Sequence, residues 1–526
     1  MKSLDITFTS DNRDAQAQSL GPGRDGIAAW SATMNGRFVN GAFHSVAGEV
    51  PIFAVPGGPA GPMLFARTAI TGASYRAVYV TAAGIGAYDG VHHNMTPVSG
   101  WQAPDPSKIT VTSLNGIVVL NAPPNPPYVV NLSTFAPATI IPGWPSTDSC
   151  AAIVGYRYYL VACGINSPGQ TWEQLVKWSD AAEPGTLPLT WAPLPENDAG
   201  DLILSDVPGA ILAAKQMIDS VIIYKASGAF MLQWVGGAAI MQRRFLFSNL
   251  GVVNPRAVVA MEKEHVCVIP GDIIVHNGAT FKSILEGRFR KWFFERVPAV
   301  LWPFVAVHYD PISGEVWAAY PDNASSPKLV EALIWNRYDD SISVRQFTKS
   351  SDLFWTQIPG ARRSYAGANF SYQSAAGVTY ESTTARSSGT AMTCLPDVVA
   401  NDVRVILLDG NDPQGVQVGA RVNDQITAYC ERVAIPLGGS DARSLIKRVR
   451  PRVTAPPGAI LQVQVGAHES PDADVLWGDP VQWVAGETRD VPALSPGRYG
   501  ALRVSAYGVR FVVEGALIEF TNQGRQ

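Results

Sequence analysis

Residues 304–347 alternate between apolar and polar positions in a way that predicts four short strands. The first strand ends in the polar turn 310–314 (DPISG), where a hairpin needs proline and glycine. The others follow at 315–320 (EVWAAY), 331–336 (EALIWN) and 341–347 (SISVRQF). A four-stranded antiparallel meander of about 45 residues has the size of one β-propeller blade. Because a single blade cannot bury both faces of its sheet, the segment predicts further copies beside it.

The core of the second strand recurs along the preceding sequence. The six copies are 76–81 (RAVYVT), 116–122 (GIVVLNA), 156–162 (YRYYLVA), 219–225 (DSVIIYK), 264–270 (EHVCVIP) and 315–320 (EVWAAY). Short segments of small or β-branched residues precede several copies, and such side chains suit the innermost strand of a blade, where blades crowd together. These segments are 151–154, 211–214, 257–260 and 304–307. The pattern predicts an all-β fold with a six-bladed β-propeller over residues 63–347, and a multi-sheet sandwich is the alternative.

The sequences that flank the repeat predict three further regions. Residues 1–62 form an N-terminal arm that ends in the linker 56–62 (PGGPAGP). This arm is expected to close the propeller, to join the C-terminal domain or to lie across a neighbouring subunit, and its sequence favours none of the three. Residues 348–393 are rich in serine, alanine, glycine and threonine, which predicts loops that cross between domains. Strand patterns resume in residues 394–526 and predict a β-sandwich or barrel.

The 526-residue chain carries few charges. Asp, Glu, Lys and Arg make up 16% of it, and the formal net charge is −4 at pH 7. Such a neutral surface is expected of a protein that packs against copies of itself, and it gives no general attraction to nucleic acid or acidic membranes. The sequence predicts neither a transmembrane helix nor a Sec signal. The five cysteines are scattered singly, which predicts a reduced protein made in the cytoplasm.

The tract 177–191 (KWSDAAEPGTLPLTW) and the segments after it form a distinctive sequence. These segments are 197–201 (NDAGD), 210–225 (AILAAKQMIDSVIIYK) and 228–237 (GAFMLQWVGG). Over residues 156–278 the chain resembles the propeller-bearing nozzle, or tail tubular, proteins of short-tailed bacteriophages. The signature is structural and assigns no catalytic residue.

The resemblance implies a structural virion protein without catalytic residues, cofactor or metal. It implies a closed ring, expected to be a homohexamer, at the distal end of the phage tail, through which double-stranded DNA exits without sequence specificity. The implied partners are further copies of the chain, a tail adaptor protein and tail fibres, with the host envelope as a further contact. By the same analogy residues 394–526 would be a platform domain. The protein would be made in the host cytoplasm and reside in the virion tail.

The histidines do not show the spacing of a metal or catalytic site. His92 and His93 are adjacent, so their rings point to opposite faces of a strand and cannot easily ligate one ion. His265, His276 and His308 lie in or beside strands without carboxylate spacing, which predicts hydrogen-bonded, partly buried rings. An enzyme is therefore not expected. Two alternatives stay open: a propeller hydrolase acting on host surface glycan, which needs convergent carboxylates, and a monomeric propeller that binds the host.

Two basic clusters are the candidate DNA- or subunit-facing sites. They consist of Arg288, Arg290 and Lys291, which lie among aromatic residues, and of Arg448, Arg450 and Arg452, which alternate with apolar residues. The alternation predicts that the last three guanidinium groups share one strand face. These groups would contact DNA phosphates in a channel, or else form a solvated face or ion pairs with an adjoining subunit. The second interpretation is favoured, because a conduit has to let DNA slide.

Overall fold

In the structure, a computed structural model, the regular secondary structure is almost entirely β-strand. The structure describes residues 2–7, 10–11, 13, 29–46, 50–51, 58–59, 63–71, 74–89, 91–248, 250–311, 313–325, 327–356, 392–396, 404–409, 426–438 and 442–525. Within these ranges lie one α-helix, α1 (Arg290–Arg296), and three short 3-10 helices at Pro106–Lys108, Gly237–Ala239 and Ala299–Phe304. No helix among these residues combines the length and the hydropathy that a membrane span requires.

The described part of the N-terminal arm contributes seven short strands. They are β1 (Lys2–Thr7), β2 (Ser10–Asp11), β3 (Ala29–Trp30), β4 (Ala32–Met34), β5 (Gly36–Val39), β6 (Ala42–Ser45) and β7 (Val50–Pro51). Of these, β2 and β3 pair in parallel with each other. Strands β5 and β6 form an antiparallel hairpin, and β1, β4, β6 and β7 pair with strands described below.

Residues 63–356 form six antiparallel arrays, S1 to S6, each made of four strands that pair in chain order. S1 contains β8 (Met63–Thr71), β9 (Ser74–Thr81), β10 (Gly84–Tyr88) and β11 (His92–Asn94), S2 contains β12 (Thr110–Leu114), β13 (Ile117–Asn121), β14 (Tyr128–Val130) and β15 (Thr139–Ile140), and S3 contains β16 (Ser149–Tyr156), β17 (Tyr159–Ser167), β18 (Gln170–Trp178) and β19 (Gly200–Ile203). S4 contains β20 (Ile211–Met217), β21 (Ser220–Lys225), β22 (Gly228–Trp234) and β23 (Met241–Ser248), S5 contains β24 (Val258–Ala260), β25 (His265–Ile269), β26 (Asp272–His276) and β27 (Phe281–Ser283), and S6 contains β28 (Ala306–Asp310), β29 (Glu315–Pro321), β30 (Leu329–Asn336) and β31 (Ile342–Thr356).

The predicted second strands all contribute to the second strand of their sheets, with one local difference in S3, and the predicted first strand of S6 differs at its start. In S3 the segment 156–162 spans a hairpin, because Tyr156 ends β16 and Arg157 takes a φ of 53° in the turn before β17. In S6 the first strand starts at Ala306 and not at Phe304, which still belongs to a 3-10 helix. That helix contains Pro303, which has no N–H to donate to a sheet.

Neighbouring sheets share apolar cores, and the second strand of each sheet divides its side chains between two of them. In S2, Leu120 packs in the core shared with S1 and the adjacent Val119 packs in the core shared with S3. This follows from the period of two in a strand, which sends consecutive side chains to opposite faces. The corresponding pairs are Leu160 and Val161 in S3, Val221 and Ile222 in S4, and Cys267 and Val266 in S5. The sheets therefore stack face to face in chain order, as the blades of a propeller do.

The first strands of successive sheets approach one another closely. The Gly155 N–H of β16 donates to Thr112 Oγ1 of β12 at 2.8 Å. A Cβ atom at Gly155 would lie 2.2 Å from the Ser113 carbonyl oxygen, so only glycine fits there. Side chains must be small where the backbones of neighbouring sheets meet, which is why the segments before the second strands are poor in large residues.

A row of strands lies between S6 and S1. After Ser350, β31 pairs with β33 (Arg404–Asp409), which pairs with β32 (Met392–Pro396), and β32 pairs with β7 of the arm. We call this set the closing row. Strand β31 also packs against β28 of S6 and β8 of S1. The chain thus continues in strand conformation beyond the predicted boundary at residue 347, and the row contains one strand from the N-terminal arm.

Residues 427–525 and the arm form two six-stranded sheets around one core. The C-terminal strands are β34 (Thr427–Pro436), β35 (Ala442–Thr454), β36 (Ile460–His468), β37 (Leu476–Trp477), β38 (Val481–Val484), β39 (Val491–Gly497), β40 (Tyr499–Tyr507) and β41 (Val512–Arg525). One sheet has the order β39-β35-β41-β6-β5 with β1 on β41, and the other has the order β37-β36-β40-β34-β4 with β38 on β36. Val449 and Val504 lie in the common core with Trp30 and Phe43 of the arm. We call this part the two-sheet unit.

The arm also fastens the two-sheet unit to S6. The Asn35 N–H donates to the Val344 carbonyl of β31 at 2.9 Å, and Asn35 Nδ2 donates to the Thr427 carbonyl of β34 at 2.7 Å. Two residues further on, Arg37 Nε donates to Glu315 Oε1 of β29 at 2.9 Å. A short stretch of the arm therefore contacts both regions with polar groups.

Candidate functional site

The arrays S1 to S6 have two different ends. Because the strands of each array are antiparallel and in chain order, the turns between first and second strands and between third and fourth strands lie at one end, end A. The turns between second and third strands, and the connections from one array to the next, lie at end B. The two ends differ in chemistry.

A cavity of about 510 Å³ lies at end B. Its lining includes Asp105, Lys108, Pro123, Ser149, Ile211 and Pro255, which come from S2, S3, S4 and the connection to S5. On its rim, Asp105 Oδ1 accepts from the Ser107 N–H at 3.0 Å and Asp105 Oδ2 lies 3.3 Å from Lys108 Nζ. Burial acts to raise the pKa of Asp105, but these partners outweigh it and lower the pKa. The rim carboxylate is therefore ionised and held as a cap, unlike a general acid.

Beyond the cavity lining, charged residues from several sheets form what we call the axial cluster. It consists of Arg67 in β8, Lys215 in β20, Arg256 directly before β24, His308 in β28 and Asp352 in β31. Ile211 of the lining begins the strand that carries Lys215, and Pro255 of the lining is the neighbour of Arg256. First strands of three sheets thus direct polar residues to the region where they meet.

Asp352 holds two guanidinium groups at once. Arg67 Nη1 lies 2.6 Å from its Oδ2 atom, and Arg256 Nη2 lies 2.8 Å from its Oδ1 atom. Asp352 is fully buried and Arg256 is 9% exposed. Charge-assisted bonds in such a place are short and strong. They connect β8 of S1 and the segment before S5 to β31, the strand that leads from S6 into the closing row.

Lys215 and His308 are the members of the axial cluster without a hydrogen bond among the described residues. The Lys215 ammonium group has no ion pair there either, and burial, helped by the charge of Arg67, lowers the pKa of Lys215 to about 8. His308 is 9% exposed, and its Nε2 atom is buried without a hydrogen-bond partner among the described residues, so the predicted hydrogen bonding is wrong for this ring. Burial and then Arg67 lower the pKa of His308 to about 3, although Asp352 opposes them. The imidazole is therefore neutral at pH 7.

Sequence reasoning did not single out the axial cluster as a site, although the repeat held a signal for it. Lys215 directly follows the small-residue segment 211–214, and His308 directly follows the matching segment 304–307. Both positions are therefore equivalent in the repeat, and each carries a polar group on an innermost strand. A polar side chain at that place lies between neighbouring sheets, close to where their first strands meet.

The first predicted basic cluster lies around α1 and is bound to carboxylates of its own chain. Arg288 Nη2 lies 3.2 Å from Asp340 Oδ2, Arg290 Nη2 lies 2.6 Å from Asp272 Oδ2, and Lys291 Nζ lies 3.9 Å from Glu295 Oε1. Arg288 also donates to the Asp340 and Ile284 carbonyl oxygens. Arg288 and Arg290 therefore fix α1 against S5 and S6, whereas Lys291 is exposed and loosely paired.

The second predicted basic cluster lies in the two-sheet unit. Its three residues share one face of β35, as predicted, while the intervening Val449 and Pro451 are buried. Arg448 Nε lies 2.6 Å from Glu519 Oε2, Arg450 Nε lies 2.7 Å from Asp490 Oδ1, and Arg452 Nη2 lies 2.8 Å from Asp5 Oδ1. The carboxylates come from the same chain and not from an adjoining subunit. The structure does not bring the two clusters together, and their DNA-facing role stays a prediction.

His265 and His276 share one partner, the hydroxyl group of Tyr224. The Tyr224 oxygen lies 2.6 Å from His265 Nδ1 and 2.7 Å from His276 Nε2. The predicted hydrogen bonding is confirmed, but both rings are buried completely and not partly. Burial lowers the pKa of His265 to about 3 and that of His276 to about 4. Both are neutral structural residues at pH 7.

The remaining histidines, His92 and His93, and the cysteines make structural contacts. His92 Nδ1 lies 3.0 Å from the Tyr79 hydroxyl, and His93 stacks on Phe135 with ring centroids 3.6 Å apart, so the adjacent rings diverge as predicted. Within the described ranges, no group of three or more His, Cys, Asp or Glu side chains could hold a metal ion. The cysteines with described side chains are free and buried, at positions 150, 163, 267 and 430.

End A carries a cluster of exposed apolar side chains on S3 and S4. Tyr158 is 55%, Ile218 64%, Trp234 39% and Val235 47% exposed. They lie close together, because the neighbours of the first two form an ion pair: Arg157 Nε donates to Asp219 Oδ1 at 2.7 Å. The Arg157 guanidinium also stacks over Trp234, with its carbon 4.6 Å from the ring centroid. We call these four residues the apolar surface of end A.

Comparisons with known proteins return structural similarities only. No protein-family model and no curated protein matches the chain. The β-propeller domain of Myceliophteria thermophila Cps50 (Swd1) is 10% identical over 68% of this chain and 99% of that one, with a TM-score of 0.37. The WD40 domain of Neurospora crassa Pan2 is 9% identical over 67% and 90%, with a TM-score of 0.34. The designed Ika8 protein is 14% identical over 58% and 93%, with a TM-score of 0.34. Similarities with TM-scores below 0.5 indicate nothing about the function of this chain.

Proposed function

We propose that this chain is a structural subunit of a bacteriophage tail, which forms the distal ring, or nozzle, and serves as a conduit for DNA exit. The proposal rests on the resemblance of residues 156–278 to tail nozzle proteins. One structural observation supports it most, namely the apolar surface of end A. The four residues of that surface all lie within the same tract, 156–278.

The apolar surface has the composition of a protein–protein contact. Aromatic residues and arginine are enriched in interface cores, and here a tryptophan, a tyrosine and two aliphatic residues surround the Arg157–Asp219 ion pair. The occupant we propose is a second copy of this chain. Because a closed ring needs head-to-tail contacts, the surface would meet a different surface of the next copy. A stable contact of this kind buries on the order of 800 Å² per partner.

In this proposal S1 to S6 are the six blades of the propeller. The closing row then fills the place between the sixth blade and the first. The two-sheet unit would be the platform domain, and the polar contacts of Asn35 and Arg37 would hold it in a fixed orientation to the propeller. A fixed orientation matters in a ring, since each subunit has to present both of its contact surfaces at a constant angle for the ring to close.

The pairing of the basic residues suits a conduit. Arginines already bound to carboxylates of their own chain offer little net charge to DNA phosphates. Each phosphate contact avoided also weakens DNA binding at low salt, where counterion release otherwise favours it. A lumen lined in this way would let DNA slide.

Light scattering after size-exclusion chromatography, with negative-stain electron microscopy, tests the proposal on the full chain. Wild type should form a closed ring, and Trp234→Glu should shift it to monomers, because the change removes the largest apolar side chain of the contact and puts a charge in its place, which the next copy would have to desolvate. The matched control is Trp172→Glu, which changes a 43% exposed tryptophan near end B and should leave the ring intact. A wild type that stays monomeric at tens of micromolar, or a ring unaffected by Trp234→Glu, would overturn the proposal.

A further inference from the structure

The axial cluster holds more positive charge than its own residues neutralise. Among the described side chains of the cluster, Arg67, Lys215 and Arg256 supply three positive charges against the single carboxylate of Asp352, which leaves two in excess. Asp105 on the cavity rim also acts on Arg256, but Lys108 pairs with that carboxylate. Uncompensated charge in a buried place is costly unless a counter-charge is bound. The cluster therefore favours an anion.

The same cluster contains donors without acceptors. Arg256 Nε and His308 Nε2 are buried without a hydrogen-bond partner among the described residues, and the Lys215 ammonium group lacks one as well. Neutral imidazole, guanidinium and ammonium groups can all donate. Buried donors in native proteins are nearly always satisfied, by protein or by a bound species. Arg256 Nε and, in its Nε2–H tautomer, His308 are buried donors that lack an acceptor, and the partly buried Lys215 ammonium group adds a third donor beside them. Together they indicate a ligand rich in acceptor atoms.

The cavity at end B comes close to one member of the cluster, Arg256, through the lining residue Pro255. The cavity of about 510 Å³ includes Ile211 and Pro255 in its lining. Pro255 is joined to Arg256, and Lys215 lies four residues along β20 from Ile211, about 13 Å at the rise of a strand. Lys108 in the lining is neutralised by Asp105, so the nearest unbalanced positive charge belongs to the cluster itself. The cavity has room for a small anion, whereas duplex DNA is far wider than it.

We propose that the axial cluster binds a small tetrahedral oxyanion of the phosphate class, with Arg67, Lys215, Arg256 and His308 as its donors. A phosphate dianion matches the two excess charges and offers acceptors on every side. Planar guanidinium groups suit such oxygens, and a neutral imidazole adds a donor without adding charge. Free phosphate and a phosphate monoester share this chemistry. The inference goes beyond the conduit function and holds equally for a monomer or a ring.

Isothermal titration of the purified full chain at pH 7 and constant ionic strength tests the proposal. Inorganic phosphate and glycerol phosphate are titrated separately, with sodium chloride as the reference. Saturable binding of one phosphate per chain is expected, and Lys215→Met should weaken it about tenfold or more, since a hydrogen bond to a charged group is lost. The matched control is Lys263→Met, which removes the same charge from an exposed turn of S5 and should bind as wild type does.

Each result of the titrations either supports or contradicts the proposed anion site. Binding of either phosphate that depends on Lys215 supports the site, and the preferred titrant identifies free anion or monoester as the source. Equal binding by wild type and Lys215→Met would overturn it, as would no binding by wild type at 10 mM phosphate, roughly the upper end of weak anion sites. Should Lys215→Met fail to fold, Lys215→Arg keeps the charge and must retain binding, while wild-type titration still decides. Monomeric wild type that binds phosphate would contradict only the proposed ring.

Discussion

The propeller-like region and the two-sheet unit are both β-structures, yet their paired strands differ in sequence separation. In S1 to S6 each strand pairs with the next strand of the chain, as β20 and β21 do across a turn at Ile218 and Asp219. In the two-sheet unit, β1 pairs with β41, so Lys2 lies opposite Phe520. Strand β4 pairs with β34 in the same long-range manner. One region is assembled from hairpins, and the other from the two ends of the chain.

This difference decides how each region gains its stability. A hairpin closes a short loop and loses little entropy, whereas bringing residue 2 to residue 520 orders a very long loop. The apolar core has to compensate for that loss, and the arm supplies Trp30 and Phe43 to it. We infer that the two-sheet unit depends on the arm, while S1 to S6 depend mainly on contacts between neighbouring sheets.

Paired core truncations test this inference with the largest expected effect. Phe43 of β6 and Phe230 of β22 are both fully buried, one in the two-sheet core and one in the core between S3 and S4. Each change to alanine should cost about 3–5 kcal/mol in its own region. Hydrogen exchange followed by mass spectrometry should show Phe43→Ala losing protection in residues 427–525, and Phe230→Ala losing it in S3 and S4.

Each variant is the control for the other. Equal loss of protection across the whole chain in both variants would mean that the two regions unfold as one unit. Local or long-range strand pairing would then have no effect on the free energy of unfolding of each region.

The sequence predicted the hairpin-built region well because its signals are local. The alternation in 315–320 and the turn 310–314 act within a few residues, and β28 and β29 pair through the same residues. The small-residue segments were assigned to innermost strands for a steric reason, and Gly155 against Ser113 shows that crowding directly. Period and turn chemistry fix such elements without knowledge of distant residues.

The remaining features depend on partners that are far apart in sequence. Asp352 lies in a segment predicted as loops, yet it binds Arg67, which is 285 residues away, and Arg256, which is 96 residues away. The two basic clusters were found from composition, but their carboxylate partners, such as Asp5 for Arg452, could not be. Pairing of this kind leaves no periodic trace along the chain. The axial cluster and the closing row therefore could not be predicted from the sequence.

Acidification should weaken the propeller-like region before the two-sheet unit. His265, His276 and His308 all lie in S5 and S6, with pKa values lowered to about 3, 4 and 3. Their unfolded pKa is about 6.5, so below pH 6.5 the unfolded state binds more protons and stability falls with falling pH. Each histidine should cost about 1.4 kcal/mol per pH unit until its folded pKa is reached.

Urea unfolding at pH 7.5 and pH 5.5 measures this loss, with hydrogen exchange to locate it. At pH 5.5 the expected decrease is about 1.4 kcal/mol per histidine, centred on S5 and S6. Loss of protection in residues 427–525 first, with S5 unchanged, would contradict the assignment. The sign is the informative part, since histidines stabilised in the charged form would instead raise stability on acidification.

The smallest expected effect compares one arginine from each basic cluster. Arg288 donates to the Ile284 carbonyl at 2.9 Å as well as to Asp340, and its side chain is 22% exposed. Arg288→Ala should therefore cost about 1 kcal/mol. Arg448→Ala should leave thermal unfolding unchanged, because its ion pairs are solvated and screened. Arg288→Lys should recover little, since an ammonium group cannot span acceptors that a planar guanidinium reaches together. Equal effects at both arginines would show that neither the burial of the charge nor the additional carbonyl acceptor sets the cost.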